Sequence, residues 1–302
     1  MDIVCACDAN FIAHMSTMLL SLAEHNRRHT IRVFILHDGP LPDCHKLVAM
    51  PQLHPMELRF ISVEGMLPNV VVSHHVSAAS YARMLVAQVL PLDIVRILYL
   101  DCDVIVRGDL GELWDTDLCG KTVGAIRDVG GYNRHSVLGL PQGAPYFNAG
   151  VLMIDLRRWR TRDIGRRSLL FVQTHPERLQ WWDQCALNLM LHDDWRPLDP
   201  IWNFQSFEIG SLDYQDLVRF KPLPRPVRNR IRVVHFTGHS KPWHYMNGHP
   251  LKGEYLAYRR RTPWPLYRFE DRGRHNIVRR FLHRRLPRLL PLYMAARRVF
   301  GM

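Results

Sequence analysis

Two carboxylates one residue apart, Asp101 and Asp103, interrupt the most apolar run of the chain, RILYLDCDVIV (96–106). Burying an unpaired carboxylate costs several kcal/mol, so acids set between ILYL and VIV must be solvated, paired or coordinating. Residues i and i+2 of a strand share a face, which lets both acids aim oxygens at one hard cation, and the cation would neutralise their mutual repulsion. An isolated Asp-x-Asp is also a frequent chance pattern, so it needs partners. Asp8 and Asp128 follow apolar runs in the same way, after DIVCAC and TVGAIR. Of 17 histidines, His235 follows the strand-like IRVV, with His239 and His244 as rivals for a metal.

Such acids need elements that bring strand ends together. Apolar, β-rich runs predict strands over 2–8, 31–39, 57–63, 95–106, 122–129 and 146–156. Helical spacing predicts helices over 11–26 and 80–91, the second stopped by Pro91, a long helical region through the 160s and 170s, and another helix over 183–192. Continuous apolar strands separated by helices imply an α/β fold with a mainly parallel sheet covered on both faces. In such sheets ligands sit outside the carboxyl ends of the strands at a topological switch point. Asp8, Asp101, Asp103 and Asp128 all fall at or just past an expected strand end.

Composition agrees with a globular body. A chain of 302 residues with 47% hydrophobic content buries one large core or two modest ones. Six cysteines show neither a C-x-x-C pair nor an even framework, which argues against a disulfide scaffold or a thiolate zinc site and suits a reducing compartment. MDIVCACDAN enters a strand-like pattern at once, so no signal or transit peptide is expected. No apolar run reaches the roughly 18 residues of a membrane-spanning helix.

Charge is concentrated at one end. From Tyr258 on there are 13 arginines, no lysine and two acids, Glu270 and Asp271, so nearly all of the net charge of +12 lies there. Ile277, Val278, Phe281 and Leu282 fall on one side of a helix whose other side is Arg279, Arg280, Arg284 and Arg285. A segment of this kind can lie in a headgroup layer, be an ordinary solvated helix, or track phosphates. Interleaved Leu and Phe serve burial in lipid better than phosphate tracking, so an anionic membrane surface is the expected partner and nucleic acid is not. The chain accordingly divides into a catalytic-type body, 1–257, and a basic amphipathic, membrane-associating tail, 258–302.

The ordered motifs YLDCDVIVRGDLGELWDTDL, YFNAGVLMIDLRRW, WDQCALNLML and HFTGHSKPWH, with MDIVCACDANF and HHVSAASYARMLV, resemble glycosyltransferase family 8 over about residues 1–245. That family includes retaining galactosyl- and glucosyltransferases of lipooligosaccharide and lipopolysaccharide. The resemblance implies a single Rossmann-like, nucleotide-sugar-binding domain of the GT-A type. It also implies that Asp101, Asp103 and His235 chelate Mn²⁺, with Mg²⁺ as the alternative, and that the diphosphate of a UDP-sugar completes the shell. Cys102 stands between the acids where an aliphatic residue is commoner. Asp8 and Asn10 match positions on the uracil and ribose, with Ala6 beside them. Gly238 and Lys241 match a loop that closes on the diphosphate. Arg83 matches a contact to donor sugar or phosphate, and His75 lies before it. Asp128, Asn148, Ala149, Asp183 and Gln184 match the grip on the hexose. Simpler roles stay open: Asp8 or Asp183 as a helix N-cap, Gly238 as a turn, Arg83 as a salt-bridged surface residue.

The reaction so implied is transfer of a hexosyl group, galactose before glucose, from a UDP-sugar to a saccharide hydroxyl of a lipid-linked acceptor, with retention. Asp128, Asp183 and Gln184 are the catalytic candidates. An amide is a poor nucleophile, so front-face attack with Gln184 at the anomeric centre is favoured over a covalent sugar on Asp183. A protein working this way would sit on the cytoplasmic leaflet. The competing reading is an inactive sugar-nucleotide binder held at a membrane by its tail.

Overall fold

A computed structural model describes residues 1–67, 78–130, 135–208, 210–212, 218–266 and 268–300. Its strands are β1 (Asp2–Cys7), β2 (Ile31–His37), β3 (Met56–Ser62), β4 (Arg96–Leu100), β5 (Val104–Val106), β6 (Val123–Arg127), β7 (Phe147–Asp155), β8 (Trp195–Pro197), β9 (Phe204–Gln205), β10 (Gly210–Leu212), β11 (Val218–Phe220) and β12 (Val233–His235). Seven of them form the main sheet in the order β3-β2-β1-β4-β7-β6-β8. Pairing is parallel from β3 through β4 and between β6 and β8, while β7 runs antiparallel to both neighbours. The order reverses between β1 and β4, so the crevice expected of such a sheet opens beyond Cys7 and Leu100.

Both faces of the sheet are covered, which is why β1 reads as a continuous apolar run. Ile3, Cys5 and Cys7 face the helix Ile12–His25, whose Met15, Met18, Leu19 and Leu22 are buried with them. Val4 joins Tyr81, Tyr99, Leu152 and Trp159 on the opposite face. Each fully buried Leu, Ile or Met contributes about 1.5–3 kcal/mol relative to exposure, so these two layers dominate what holds the strand ends in place.

Two local expectations are corrected. The run 95–106 is not one strand. β4 stays in the main sheet and β5 leaves it to pair antiparallel with β12, which also pairs with β9, so the chain changes sheets at Asp101-Cys102-Asp103. The two acids therefore sit on a turn and do not share a strand face. The segment 80–91 is mostly a 3₁₀ helix, Ala78–Leu85, followed by a short α-helix, Val86–Val89. Arg83 Nε donates to Ser80 O, three residues back, at 2.9 Å.

The helix Lys252–Arg259 packs on Ile12–His25, with His14 Nδ1 2.6 Å from Tyr255 OH. The expected boundary at 257/258 falls inside this helix, and Arg261 beyond it pairs with Glu24. Helices Arg274–Arg285 and Leu290–Phe300 follow. Among the described residues no helix is long and apolar enough to cross a membrane.

Candidate active site at the carboxyl ends of β1 and β4

A cavity of about 510 Å³ opens at the switch point, lined by Ala6, Asp8, Arg83, Asp101, Cys102, Asp103, Asp128, Asn148, Ala149, Asp183, Gln184, His235, Gly238 and Lys241. Asn10 is exposed and does not line it. His75 lies outside the described residues. Asp8 Oδ1 accepts from the N–H groups of Asn10 (2.8 Å) and Phe11 (3.1 Å), so it shapes the turn into the first helix while facing the cavity.

Asp101, Asp103 and His235 present ligand atoms within 4.8 Å of one another, brought together because β5 pairs with β12. His235 Nε2 is 3.2 Å from Asp103 Oδ1 and 3.7 Å from Asp101 Oδ2. The tautomer follows from a chain that starts at a backbone donor. Gly150 N–H donates to Asn148 Oδ1 (3.0 Å), so the group of Asn203 that meets the same oxygen is its Nδ2 (2.9 Å). Asn203 Oδ1 then faces His235 Nδ1 at 3.0 Å and takes its hydrogen. Nε2 can meet the carboxylates only through something positive, a proton of its own or a shared cation. Room for the cluster comes from Gly150, where a Cβ would overlap the His235 ring and Asp101 Oδ2. Two carboxylates and an imidazole suit Mn²⁺ or a similar divalent ion. The rival His239 lines the cavity but, like His244, is not part of this cluster.

Two cations answer the acids. Burial alone would raise the Asp103 pKa, but Lys241 and His235 hold it well below the usual carboxylate range. Lys241 Nζ lies 2.5 Å from Asp103 Oδ2 and donates to Phe236 O at 2.8 Å. Its loop turns at Gly238, whose φ of +81° favours glycine.

Arg83 is buried, 5% exposed, under the Tyr99 ring. Its Nη2 is 2.8 Å from Asp101 Oδ1 and its Nε 2.9 Å from Asp183 Oδ2, and Nη1 donates to Ala149 O. It is thus no surface arginine, because the sheet and the Trp182–Leu191 helix close over it. The Nε hydrogen is directed at Ser80 O, so Asp183 Oδ2 is ion-paired yet accepts no hydrogen bond. Burial, helped by the charge of Asp101 and opposed by Arg83, pushes the Asp183 pKa up to about 6. The N-cap role expected of Asp183 is corrected: the helix starts one residue earlier, at Trp182, and the side chain turns inward.

Gln184 is held by its neighbours on all sides. Its Oε1 accepts from Ala149 N–H (2.9 Å) and Asn148 Nδ2 (3.3 Å), and its Nε2 donates to Asp128 Oδ2 at 2.8 Å. A shift of register between β6 and β7 at Ala125/Ile126 bulges the Asn148–Gly150 segment toward this amide. Asn203, fully buried and linking Asn148 to His235, was not singled out in the sequence. Nor were Trp181 and Trp182, which line the cavity beside Asp183. The tryptophan pair directly before Asp183-Gln184 is a readable signal, whereas a lone Asn after a Trp is not. Apolar ring faces beside a carboxylate and a carboxamide suit a pyranose, which has both C–H and O–H faces.

The chain is similar to known proteins over most of its length. The profile described as glycosyl transferase family 8 matches residues 2–247. General stress protein A of Bacillus subtilis is 31% identical over 270 residues, covering 87% of this chain and 94% of that protein. A lipopolysaccharide 1,2-glucosyltransferase of Escherichia coli is 26% identical, covering 90% of this chain and 83% of its own length. The solved structure of the galactosyltransferase LgtC with donor and acceptor sugar analogs superposes with a TM-score of 0.73 at 27% identity, over 87% of this chain and 96% of LgtC.

Proposed function

The chain belongs to glycosyl transferase family 8 and is a glycosyltransferase; from that premise we propose that it moves a hexose, galactose before glucose, from a UDP-sugar to a saccharide hydroxyl of a lipid-linked acceptor, with retention. The observation that carries this reading is the meeting, in one cavity, of the Asp101–Asp103–His235 cluster with the Asp128–Gln184–Asn148 network. The first is a set of hard-cation ligands and the second a rigid array of hydroxyl partners.

Asp101, Asp103 and His235 would hold the divalent cation, Mn²⁺ before Mg²⁺. When bound, the cation supplies a Lewis acid at the donor diphosphate. The residues around it do the rest. Asp8 offers an acceptor to the uracil N–H, with Ala6 and Asn10 at the edge of that subsite. Lys241 exchanges Asp103 for a phosphate oxygen, and Gly238 lets backbone approach the diphosphate closely. Arg83 keeps Asp101 and Asp183 from repelling each other. Above pH 6 Asp183 is charged, and its carboxylate, anchored to Arg83 through Oδ2, stands in the cavity wall beside the hexose. Gln184, fixed by Ala149 N–H and Asp128, orients the anomeric centre for front-face attack, since a carboxamide is a poor nucleophile.

The names of two relatives, lipopolysaccharide 1,2-glucosyltransferase and lipopolysaccharide 1,3-galactosyltransferase, support a lipopolysaccharide-type acceptor, and the arginine-rich C-terminal segment supports attachment to the anionic surface of the cytoplasmic leaflet. The test is UDP release by the purified chain from a panel of UDP-sugars. Turnover should require Mn²⁺, stop with chelator and resume when the ion is restored. Binding of UDP-hexose with no release under any of these conditions would leave only a sugar-nucleotide binder.

A further inference from the structure

Three thiols meet beneath the acid pair. Cys5 and Cys7 lie on the face of β1 that packs against the helix Ile12–His25, and neither has any exposed surface. The parallel register Ile3↔Leu98 and Val4↔Tyr99 brings the carboxyl end of β1 beside that of β4, and Cys102 follows β4 by two residues. Cys102 Sγ sits 3.1 Å from the carbonyl oxygen of Ala6, the residue between Cys5 and Cys7, and its thiol interacts with both of theirs. Cys102 lines the cavity and the other two do not. Cys102 thus sits in the cavity wall, 5% exposed, with the two other thiols behind it.

We propose that Cys102 is an oxidative modification site, with Cys7 and Cys5 as alternative resolving thiols, and that the disulfide formed there disables the Asp101–Asp103 pair. The oxidant is a hydroperoxide, small enough to enter the cavity. The Cys102 sulfur attacks one peroxide oxygen and the O–O bond breaks. The thiol proton passes to the departing oxygen, giving a sulfenic acid and, from hydrogen peroxide, water. The sulfur of Cys7 or Cys5 then attacks Cys102 Sγ, the S–O bond breaks and a second water leaves with the remaining thiol proton. The two thiols together lose two electrons and the peroxide gains them.

Geometry couples this chemistry to the acids on either side. Asp101 N–H donates to Gly150 O at 2.8 Å and Asp103 O accepts from Phe236 N–H at 3.1 Å, so the turn is pinned at both ends with Cys102 between. Pulling Cys102 Sγ into a bond with a β1 sulfur tilts the peptides that carry both carboxylates. Their match to His235 is then lost, a coupling that rests on reading the three as a metal site.

The experiment oxidises the reduced full-length protein with hydrogen peroxide, maps its peptides without reductant, and titrates Mn²⁺ calorimetrically before and after. We expect a peptide joining Cys102 to Cys7 or Cys5, and Mn²⁺ affinity weakened by about tenfold and restored by dithiothreitol. The Cys5→Ala/Cys7→Ala double variant should keep its Mn²⁺ affinity under peroxide far better, and its Cys102 should be captured by dimedone as the sulfenic acid. Oxidation confined to Cys44 and Cys119, nearer the surface, would overturn the proposal, and the native peptide map decides this even if the double variant does not fold. A Cys102 disulfide that leaves Mn²⁺ affinity unchanged would overturn the coupling. Failure of the reduced protein to bind Mn²⁺ would instead sink the metal reading, while the peptide map still judges the thiol chemistry.

Discussion

Arg83 in the crevice and the exposed arginines of the C-terminal segment, such as Arg274, Arg285 and Arg288, are the same residue type under opposite conditions. Arg83 is 5% exposed and contacts two carboxylates, a backbone carbonyl and an aromatic ring. Those three C-terminal arginines carry their charge in solvent, in a segment whose apolar side chains are also exposed, such as Phe281 at 57% and Leu292 at 67%. A buried charge is position-specific, because every neighbour is arranged around it and removing one leaves the rest unpaired. Solvated charges act through their sum and are screened by salt. Single substitutions should therefore matter greatly in the crevice and little in the tail.

The largest effect should come from the acids. Replacing both Asp101 and Asp103 with Asn should cut Mn²⁺-dependent UDP release by about a thousandfold, equivalent to several kcal/mol of transition-state stabilisation. Retention of full activity would remove the crevice from the comparison altogether. Next comes Arg83→Met, which leaves Asp101 and Asp183 facing each other in a buried site. It should lower unfolding free energy by about 3–5 kcal/mol, read from denaturant titration. A loss below about 1 kcal/mol would mean that Arg83 behaves as an exposed arginine does.

Asp183 sharpens the contrast because its sign is reversed. Its pKa is raised by burial to about 6 from an ordinary 3.8, so the folded chain holds a proton that the unfolded chain has already lost. The stability this contributes is fully present below about pH 4 and is lost as the pH rises through 6. Asp183→Asn, which mimics the protonated form, should match the native protein near pH 4 and exceed its stability by about 1–3 kcal/mol at pH 7.5. It should also lose at least about tenfold in UDP release. A carboxylate retained at a cost in stability has a functional reason to be there.

The smallest effect belongs to the tail. Exchanging one exposed arginine, Arg285→Gln, should weaken partition onto anionic vesicles by about fivefold, the equivalent of 1 kcal/mol. It should leave UDP release with a soluble acceptor unchanged, and moderate salt should erase the difference. Vesicle binding that survives removal of residues 258–302 would break the assignment of this region to the membrane.

Sequence periodicity made β1, β2, β3, the first helix and the long helical region through the 160s and 170s legible, because each is set by which neighbours along the chain must be buried. It misread 95–106 as one strand, since Leu100 and Val104 are equally apolar and nothing local says that they serve different sheets. Segment 80–91 read as an α-helix for the same reason, as apolar spacing does not separate α from 3₁₀ winding. At the site, residue types at strand ends marked Asp8, Asp101, Asp103 and Asp128, and motif resemblance brought in His235 and Gln184. Asn203 escaped both routes, because its importance lies in linking Asn148 to a histidine 32 residues further along the chain.

By itself the sequence determined the alternation of strands and helices, the family, the positions of the acids and the uneven charge, all of which depend on residue type and local spacing. Tertiary structure alone decided that β5 meets β12 and thereby sets His235 against Asp101 and Asp103. It also decided that Asp183 turns toward Arg83 rather than capping its helix, and that three thiols gather under the acid pair. Those outcomes depend on which distant strands pair and which side chains the packed core leaves no room to point elsewhere.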